Sequence, residues 1–208
     1  MAIRINGTDR PSTINQSSAS PTGTHHLAAN ANLYEVQRTN NFEFIVTDVD
    51  GIMKAGMIGG EANGTIPNAQ EIIRLSVVSS TVPHFKQGTI EAKRGNNTIK
   101  FAGVPTFDAG KIKLNDYIGA ATKEVLMAWQ NLSYNVLTEK VGLASDYKKD
   151  CYLVEYTPDY QKVRQWKMHG CWISEISESE FNHEQNDKNQ IDVTIEYDRA
   201  EIDTSDVV

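Results

Sequence analysis

Histidine and cysteine supply many of the nucleophiles, general bases and metal ligands of proteins, so the few in this chain limit its chemistry. Among 208 residues there are five histidines and two cysteines. His169 and Cys171 form the best nucleophile–base candidate, but residues two apart on a strand merely share a face. The pair His25 and His26 has no third ligand near it, so no metal site is expected there. The sequence therefore predicts no enzyme, no metal and no cofactor.

A glycine-rich stretch from Gly51 to Ala69 is the next candidate for chemistry. No Gly-Lys-Ser/Thr follows its glycines, as a phosphate-binding loop requires. A calcium loop with Gly51 at its sixth position would put Val46 and Met57 where acids are needed. Long loops without structure of their own are generally functional or docked, so we interpret this one as a protein–protein contact. Its candidate contact residues are Ile52, Met53, Met57 and Ile58.

Carboxylates recur along the last predicted strand, QIDVTIEYD. Its apolar residues are Ile191, Val193, Ile195 and Tyr197, and they alternate with Asp192, Thr194, Glu196 and Asp198. A period of two places the apolar side chains on one face and three carboxylates on the other, as in a sheet that borders water. Paired carboxylates also serve glycoside hydrolysis, but on one exposed strand they favour solvation over catalysis.

Composition and charge narrow the class of protein. The hydrophobic content of 39% suffices for a core, and no apolar run is long enough to span a membrane. The first residues lack the apolar region of a signal peptide, which predicts a protein that stays in the cytoplasm where it is made. Residues 172–208 hold 11 acids and two bases, and the rest of the chain has a net charge of +2. This acidic C-terminal segment argues against tight nucleic-acid binding.

The chain divides by composition into an arm, a domain and a tail. Residues 1–32 are rich in Ser, Thr, Asn, Ala and Gly and poor in large apolar groups, so alone they should be a flexible arm. Residues 33–203 carry the strand and helix patterns of one domain, and 204–208 read as a frayed tail.

Most periodic segments of the domain predict strands. Phe42, Phe44 and Val46 share a strand face, and residues 71–82 are apolar on both faces, like a strand that is covered on each side. GTIEAK and TIKFAG flank Arg94-Gly95-Asn96-Asn97 and predict a hairpin, followed by a loop over 103–110 and a short strand with Ile112 and Leu114 inward. A second hairpin turns at 158–160 and places Cys151 opposite about residue 167 and not opposite Cys171. Both cysteines are therefore expected to be ordinary thiols, buried or half-buried.

One segment has the pattern of an amphipathic helix. From about Asp116 to Tyr134 its apolar stripe comprises Ile118, Ala121, Val125, Trp129 and Leu132. Asn115 or Asp116 would cap its N-terminus. With seven or eight strands and this helix, the fold class is mainly β: an antiparallel β-barrel or sandwich with one flanking α-helix.

The order of these features resembles the tail tube protein family of contractile-tailed bacteriophages, with its tailocin and contractile injection system relatives. The resemblance covers about residues 35–202, and its most specific parts are the basic strand before GNN, the patch from Trp166 through Gly170-Cys171-Trp172-Ile173, and the closing strand IDVTIEYD. The family is also similar in fold to the tube protein of type VI secretion. The arm of residues 1–32 is longer than the family pattern needs, and its role stays open.

The resemblance implies a structural protein of the virion tail that is assembled in the host bacterial cytoplasm. Hexameric rings with a continuous inner β-barrel would stack into a hollow tube that conducts DNA or effectors. The family's long loop, which reaches the neighbouring ring, would fall on Gly51–Ala69, and the helix would face a sheath protein. Baseplate and terminator proteins would meet the tube ends, and a tape-measure protein and DNA would occupy the lumen transiently, with no membrane partner.

A tube built from closed rings agrees with the predicted strand edges and with the charge of the closing strand. A closed ring removes open sheet edges, and an acidic lining would repel DNA phosphates, so Asp192, Glu196 and Asp198 are candidate lumen residues. A non-contractile tail protein or a baseplate tube component belongs to the same class. The alternative from another class is a soluble binding module, for example carbohydrate-binding, that exposes Trp166 or Trp172. A hydrolase would instead need carboxylates in a concave cleft.

Overall fold

The computed structural model describes residues 3–5, 8–10, 36–52, 64–184 and 187–203. The chain forms two units, 1–39 and 40–208. In the first unit, strands β1 (Ile3–Ile5) and β2 (Thr8–Arg10) pair antiparallel. Most of the predicted arm and the whole predicted tail lie outside the described residues, so their flexibility stays a prediction.

The second unit is mainly β. Its first strands are β3 (Phe42–Val46), β4 (Val77–Ser80), β5 (Phe85–Arg94), β6 (Asn97–Phe107) and β7 (Gly110–Asn115). Two short strands follow, β8 (Tyr134–Asn135) and β9 (Lys140–Val141), and then β10 (Lys149–Tyr156), β11 (Lys162–Glu178), β12 (Gln190–Glu196) and β13 (Arg199–Asp203). The helices are α1 (Ala69–Ser76), α2 (Thr122–Ser133) and α3 (Ala144–Tyr147). None of the described helices is long and apolar enough to cross a membrane.

The main sheet is organised around β11. Its ladder runs in the order β3-β10-β11-β12-β7-β4, and β13 also pairs with β11. The first part of β11 pairs with β10 and β13, and the second part pairs with β12, all antiparallel. One 17-residue strand therefore belongs to two adjoining groups of strands. The predicted antiparallel, mainly β fold is confirmed, whereas no ladder joins β3 to β4 in the described chain.

The pairing of β11 with β10 is irregular where these two groups meet. Gly170 lies in the left-handed region at φ 65°, and a Cβ built there would stand 2.4 Å from Oδ2 of Asp198. Only glycine adopts this conformation at little cost, so the strand can turn here. Lys148 Nζ donates to both carboxylate oxygens of Asp198 at 2.8 Å, and the Asp198 amide donates to the His169 carbonyl at 2.9 Å.

The core contains the faces that the alternation predicted. Ile112 and Leu114 of β7 are buried, and Phe44 and Val46 of β3 join them. All four apolar residues of the closing strand, Ile191, Val193, Ile195 and Tyr197, are buried as well. Both thiols are free and buried, as predicted, and Cys151 lies opposite Met168, one residue from the predicted position. Burial raises the pKa of the Cys151 thiol well above its ordinary value.

The predicted amphipathic helix exists but is shorter at its start. Residue 122 begins α2, Ala121 precedes it in a left-handed conformation, and Ile118 is fully exposed, so the proposed cap at Asn115 or Asp116 is wrong. Trp129 is buried against the sheet, and its Nε1 donates to the Tyr147 carbonyl at 2.8 Å.

Two other predictions are wrong. Residues 71–82 are not one strand, because Ala69, Ile73 and Ser76 are buried at the spacing of a helix and form the inner face of α1. Ser76 Oγ lies 3.0 Å from Thr122 Oγ1 in the core and joins α1 to α2. Residues 103–110 are not a loop over their whole length, since β6 continues to Phe107 and β7 begins at Gly110.

Candidate assembly surface

The β5–β6 hairpin is fixed to the body at its base by aromatic rings. The centroids of Phe85 and Phe107 lie 5.9 Å apart, and Phe107 packs edge-on against Tyr197 at 6.0 Å. Tyr197 follows β12 and is buried in the core. Ring pairs at this separation attract each other beyond their apolar burial. The row of rings therefore sets the direction in which the hairpin leaves the body.

Charged groups reinforce the same base. Lys86 Nζ lies 2.6 Å from Oδ2 of Asp108, and His84 Nε2 lies 3.3 Å from the same oxygen. The hydrogen bond from Lys86, aided by the charge of that ammonium and by His84, lowers the pKa of the Asp108 carboxyl. Asp108 directly follows β6, so this cluster holds the end of the hairpin to Lys86 at the start of β5 and to His84 just before it.

Beyond its base the hairpin packs on nothing else in the described chain. β5 pairs only with β6, and every residue of β5 is exposed. An isolated two-stranded hairpin is marginally stable in water unless another surface covers it. The hairpin is thus an anchored arm with a free end.

The free end of the hairpin is amphipathic. Ile90 lies opposite Phe101 and Ala92 lies opposite Ile99, which places these four apolar residues on one face. Ile90, Ile99 and Phe101 are 58%, 43% and 54% exposed. The other face is polar, and there Lys100 Nζ lies 3.6 Å from Oε1 of Glu91. We call Ile90, Ala92, Ile99 and Phe101 the apolar tip.

A bulge determines which way the apolar tip faces. Gln87 pairs with Pro105 and Thr89 with Ala102, so Gly88 alone faces two residues of β6, Gly103 and Val104. Phe101 and Phe107 are six residues apart and would share a face on a regular strand, but the extra residue moves them to opposite faces. The strands approach closely at this point, because a Cβ on Gly103 would stand 2.9 Å from the Gly88 carbonyl oxygen. The apolar tip therefore faces away from the side of the hairpin that packs on the body.

An apolar pocket opens beside the hairpin base. It has a volume of about 440 Å³ and is lined mainly by Phe85, Phe107, Trp166, Ala200, Glu201 and Ile202. Glu201 stands at its rim, where His169 and then Arg199 lower the pKa of the Glu201 carboxyl. Ile202 of β13 is exposed, and β13 pairs with β11 alone within the described residues. Beside the pocket, β13 therefore offers an unpaired strand edge.

The two ends of the main ladder are also edges. β3 pairs only with β10, and β4 pairs only with β7, among the described strands. Beside β3, Arg74 of α1 forms an ion pair with Glu43, and the Tyr156 hydroxyl donates to Glu43 at 2.8 Å. Burial and that hydrogen bond to Glu43 raise the pKa of Tyr156 to about 12. Charged groups of this kind discourage unspecific pairing at an edge.

The candidate lumen acids lie on a face with mixed charge. Asp192 is 3.4 Å from Lys113 Nζ, and Asp198 is bound by Lys148. Lys111 pairs with Thr194 on the same sheet, so lysines interleave with the carboxylates. Glu196 is half-buried at the end of β12. The sequence pattern had suggested an acidic face because it could not show that β7 would bring lysines beside it.

The glycine-rich loop is closed at its base by hydrogen bonds. Ile66 N donates to the Ile52 carbonyl at 3.1 Å, and Ile52 N donates to the Val49 carbonyl at 3.2 Å. Ile52 is only 7% exposed and packs in the core, so it anchors the loop and does not present a contact surface. Met53, Met57 and Ile58 lie outside the described residues, and their role in stacking stays a prediction.

The candidate side chains for chemistry or ligand binding make contacts within the subunit. His169 Nε2 is 2.9 Å from Oε1 of Glu201, and the Cys171 thiol donates to the Met168 carbonyl at 3.6 Å. Trp166 and Trp172 are half-buried: Trp166 Nε1 donates to Glu155 at 3.3 Å, and Trp172 packs on Tyr147. No group of three or more metal-binding side chains occurs among the described residues.

The apolar tip is the feature that sequence reasoning missed. The hairpin itself was predicted from Gly95-Asn96, and its pairing around that turn is confirmed. A signal for the tip was available, because Ile90 and Ala92 precede the turn at the same spacing as Ile99 and Phe101 follow it. That the body would leave this face uncovered depends on tertiary structure.

The chain is similar to solved structures of contractile injection systems. A chain of the sheath–tube complex of an extracellular contractile injection system, PVC, in the extended state, is 18% identical, with a TM-score of 0.57 and coverage of 89% of this chain and 99% of that one. A chain of the anti-feeding prophage tube-terminating cap is 16% identical, with a TM-score of 0.57 and coverage of 82% and 92%. At these identities the likeness shows the fold alone.

A family model defines the relationship more closely. The model of the T4-like virus tail tube protein gp19 matches residues 40–201, which include the hairpin, β3 to β12 and the first part of β13. No curated protein sequence matches the chain significantly. The resemblance drawn from the basic strand before GNN, the Trp166 patch and the closing strand is confirmed by this match. The chain belongs to the T4-like virus tail tube protein gp19 family.

Proposed function

We propose that this chain is the structural subunit of a hollow tube in a phage tail or a related injection device. Hexameric rings stack into the tube, which conducts DNA or effectors and performs no catalysis. The observation that carries the proposal is the β5–β6 hairpin, an anchored arm whose apolar tip packs on nothing in its own described chain. Family membership supports the same function.

The unpaired edges support self-assembly. β3, β4 and β13 each have one strand edge without a ladder partner in the described chain. Open strand edges and an exposed apolar arm favour association with other chains. In a ring, each subunit would cover the edges and the arm of its neighbour, so none would stay exposed. Head-to-tail contacts that close give rings, and those that do not close give filaments, so a tube needs both kinds. The continuous inner barrel would form where strands of neighbouring subunits meet.

The remaining surfaces are assigned to partners as part of the proposal. The Gly51–Ala69 loop contacts the next ring through Met53, Met57 and Ile58. The side that carries α1 and α2 faces a sheath protein, and exposed Leu75, Tyr117 and Ile118 there supply apolar contact area. Baseplate and terminator proteins bind the two ends, and the tape-measure protein and DNA pass through the lumen. The protein works in the virion or device after assembly in the bacterial cytoplasm.

The lumen assignment keeps Asp192, Glu196 and Asp198 as candidates with a modified role. Because Lys113 and Lys148 partly neutralise two of these acids, the face would not repel phosphate as a purely acidic wall would. Because its charges are already paired, the face would attract a passing charged polymer only weakly. A weakly attracted cargo can slide along the face without binding to it.

Negative-stain electron microscopy of the purified full chain at high concentration tests the function. We expect hollow filaments or rings of uniform diameter. The matched variant Ile90→Asp with Phe101→Asp should stay folded by circular dichroism and form neither. A wild-type chain that stays monomeric even with a preassembled baseplate as nucleus would refute the proposal.

A further inference from the structure

We infer that the apolar tip of one subunit docks into the apolar pocket beside the hairpin base of a second copy of this chain. The inference rests on the proposed function and adds to it which two surfaces meet. Both surfaces belong to the described chain, and both are accessible in the single subunit.

Geometry prevents a chain from satisfying its own tip. Phe101 is six residues from Phe107 along β6, which corresponds to about 20 Å of extended strand. The bulge at Gly88 and Gly103 also turns the tip to the face opposite the base rings. The base rings, Phe85 and Phe107, line the pocket themselves. A hairpin held at its base cannot fold back onto that base, so a different copy must supply the pocket.

The two surfaces match in apolar character. Around the tip, Ile90, Ile99 and Phe101 form a continuous row on facing strands. In the pocket, Trp166 and Ile202 lie directly opposite each other on β11 and β13 and offer aromatic and aliphatic walls. A volume of about 440 Å³ lies within the usual range for a site that receives bulky apolar groups.

Charge and strand pairing favour the same arrangement. The end of the hairpin carries Lys93, Arg94 and Lys100 against Glu91, so it is basic. β13 carries Glu201 and Asp203 against Arg199, so the rim is acidic. Complementary charges steer and orient such contacts. The free edge of β13 can also accept a strand of the incoming hairpin, which would add main-chain hydrogen bonds to the apolar contact.

The contact is head-to-tail, because the tip of one copy meets the base of the next. Each subunit then uses one tip and one pocket, and repetition of the contact continues until a ring closes. This assigns the hairpin to contacts within a ring and leaves the Gly51–Ala69 loop for contacts between rings.

Disulfide cross-linking of the full chain tests the inference. Phe101→Cys combined with Ile202→Cys should, on mild oxidation with diamide, give a ladder of covalent oligomers that ends at a closed ring. Disulfides need Cα atoms within about 7 Å, so only docked tips will react. The native thiols Cys151 and Cys171 are buried and stay out of the reaction. Thr98→Cys with Ile202→Cys is the matched control, since Thr98 lies on the polar face, and it should give no ladder.

Each other outcome has a definite meaning. Tubes visible by electron microscopy without the Phe101–Ile202 ladder would overturn the inference and leave the proposed function standing. Cross-linking of Phe101→Cys alone would mean that tips meet tips, and a cross-linked monomer would mean that a tip reaches its own pocket; either result overturns the inference. Absence of any assembly under all conditions would overturn the proposed function as well.

Discussion

Truncation of one apolar tip residue, Phe101→Ala, should weaken assembly far more than folding. Complete burial of a phenylalanine side chain is worth about 1.5–3 kcal/mol. Phe101 is 54% exposed in the single subunit, so roughly half of that amount remains to be gained on contact with another copy. The loss on truncation is then about 0.75–1.5 kcal/mol per contact, which corresponds to an association about four- to twelvefold weaker.

Sedimentation of filaments measures this effect directly. The concentration of subunit that stays in the supernatant at equilibrium should rise about four- to twelvefold in Phe101→Ala. The melting temperature of the dispersed subunit should change little, because the hairpin end contributes nothing to the core of the described chain. Thr98→Ala, on the polar face of the same strand, is the control and should leave both quantities near the wild-type values.

The opposite pattern would refute the proposed contact of Phe101 with a second copy. An unchanged supernatant concentration together with a markedly lower melting temperature would mean that Phe101 stabilises the subunit itself. Equal effects of Phe101→Ala and Thr98→Ala on assembly would mean that the two faces of the hairpin are not distinguished by a partner.

Three further predictions concern the bulge, the hairpin base and the loop. Gly103→Ala should force the strands apart at the Gly88 carbonyl, at a cost of about 1–3 kcal/mol, and should speed hydrogen exchange over 85–107. Gly88→Ala is the control, because a Cβ there meets nothing within 4 Å, and it should leave hydrogen exchange unchanged. Equal exchange rates in both variants would contradict the close approach of the strands. The folded-state pKa of Asp108 is depressed, so this carboxylate stabilises the fold above its unfolded-state pKa and loses that effect as the pH falls through its folded-state pKa. Asp108→Asn should therefore lower the melting temperature near neutral pH but not in strong acid. A difference in melting temperature that does not depend on pH would argue against the Lys86 contact. Ile58→Asp should leave subunits folded but block stacking of rings, and long unaltered tubes in that variant would disprove the role of the loop.

Strands with strict alternation were predictable because one face of each is buried. Val193 and Ile195 of β12 and Ile112 of β7 are inward as the period of two requires. The turn at Gly95 was predictable because glycine tolerates the positive φ that a two-residue hairpin turn needs. In each of these elements local pattern and tertiary environment agree.

Segments whose environment departs from the local pattern were not predictable. α1 looked like a strand because Leu75 is apolar as well, which hides the one-sided pattern of an amphipathic helix. In the helix, Leu75 lies on the face opposite Ile73, and that face is exposed in the single subunit. Ile118 misled the start of α2 in the same way. Pro105 suggested a loop, yet it lies within β6, where proline is tolerated because the hairpin has no third strand in the described chain.

The candidate site was predicted only in part, because its decisive features are relations between distant segments. The lysine beside Asp192 comes from β7, and the pocket combines the hairpin base with β11 and β13. Ile52 was expected at a contact surface, but its side chain is buried in the core, and its carbonyl accepts a hydrogen bond from Ile66 N across the base of the loop. Sequence spacing carries no information about such pairings.

The unbroken course of β11 has a mechanical consequence. Two groups of strands that share one covalent strand cannot slide or hinge independently without breaking hydrogen bonds on both sides of Gly170. Tension applied where the hairpin base meets Tyr197 passes along β12 into β11 and is spread over both groups. In the proposed tube, this shared strand would make each subunit resist stretching and would keep the diameter of the channel constant under load.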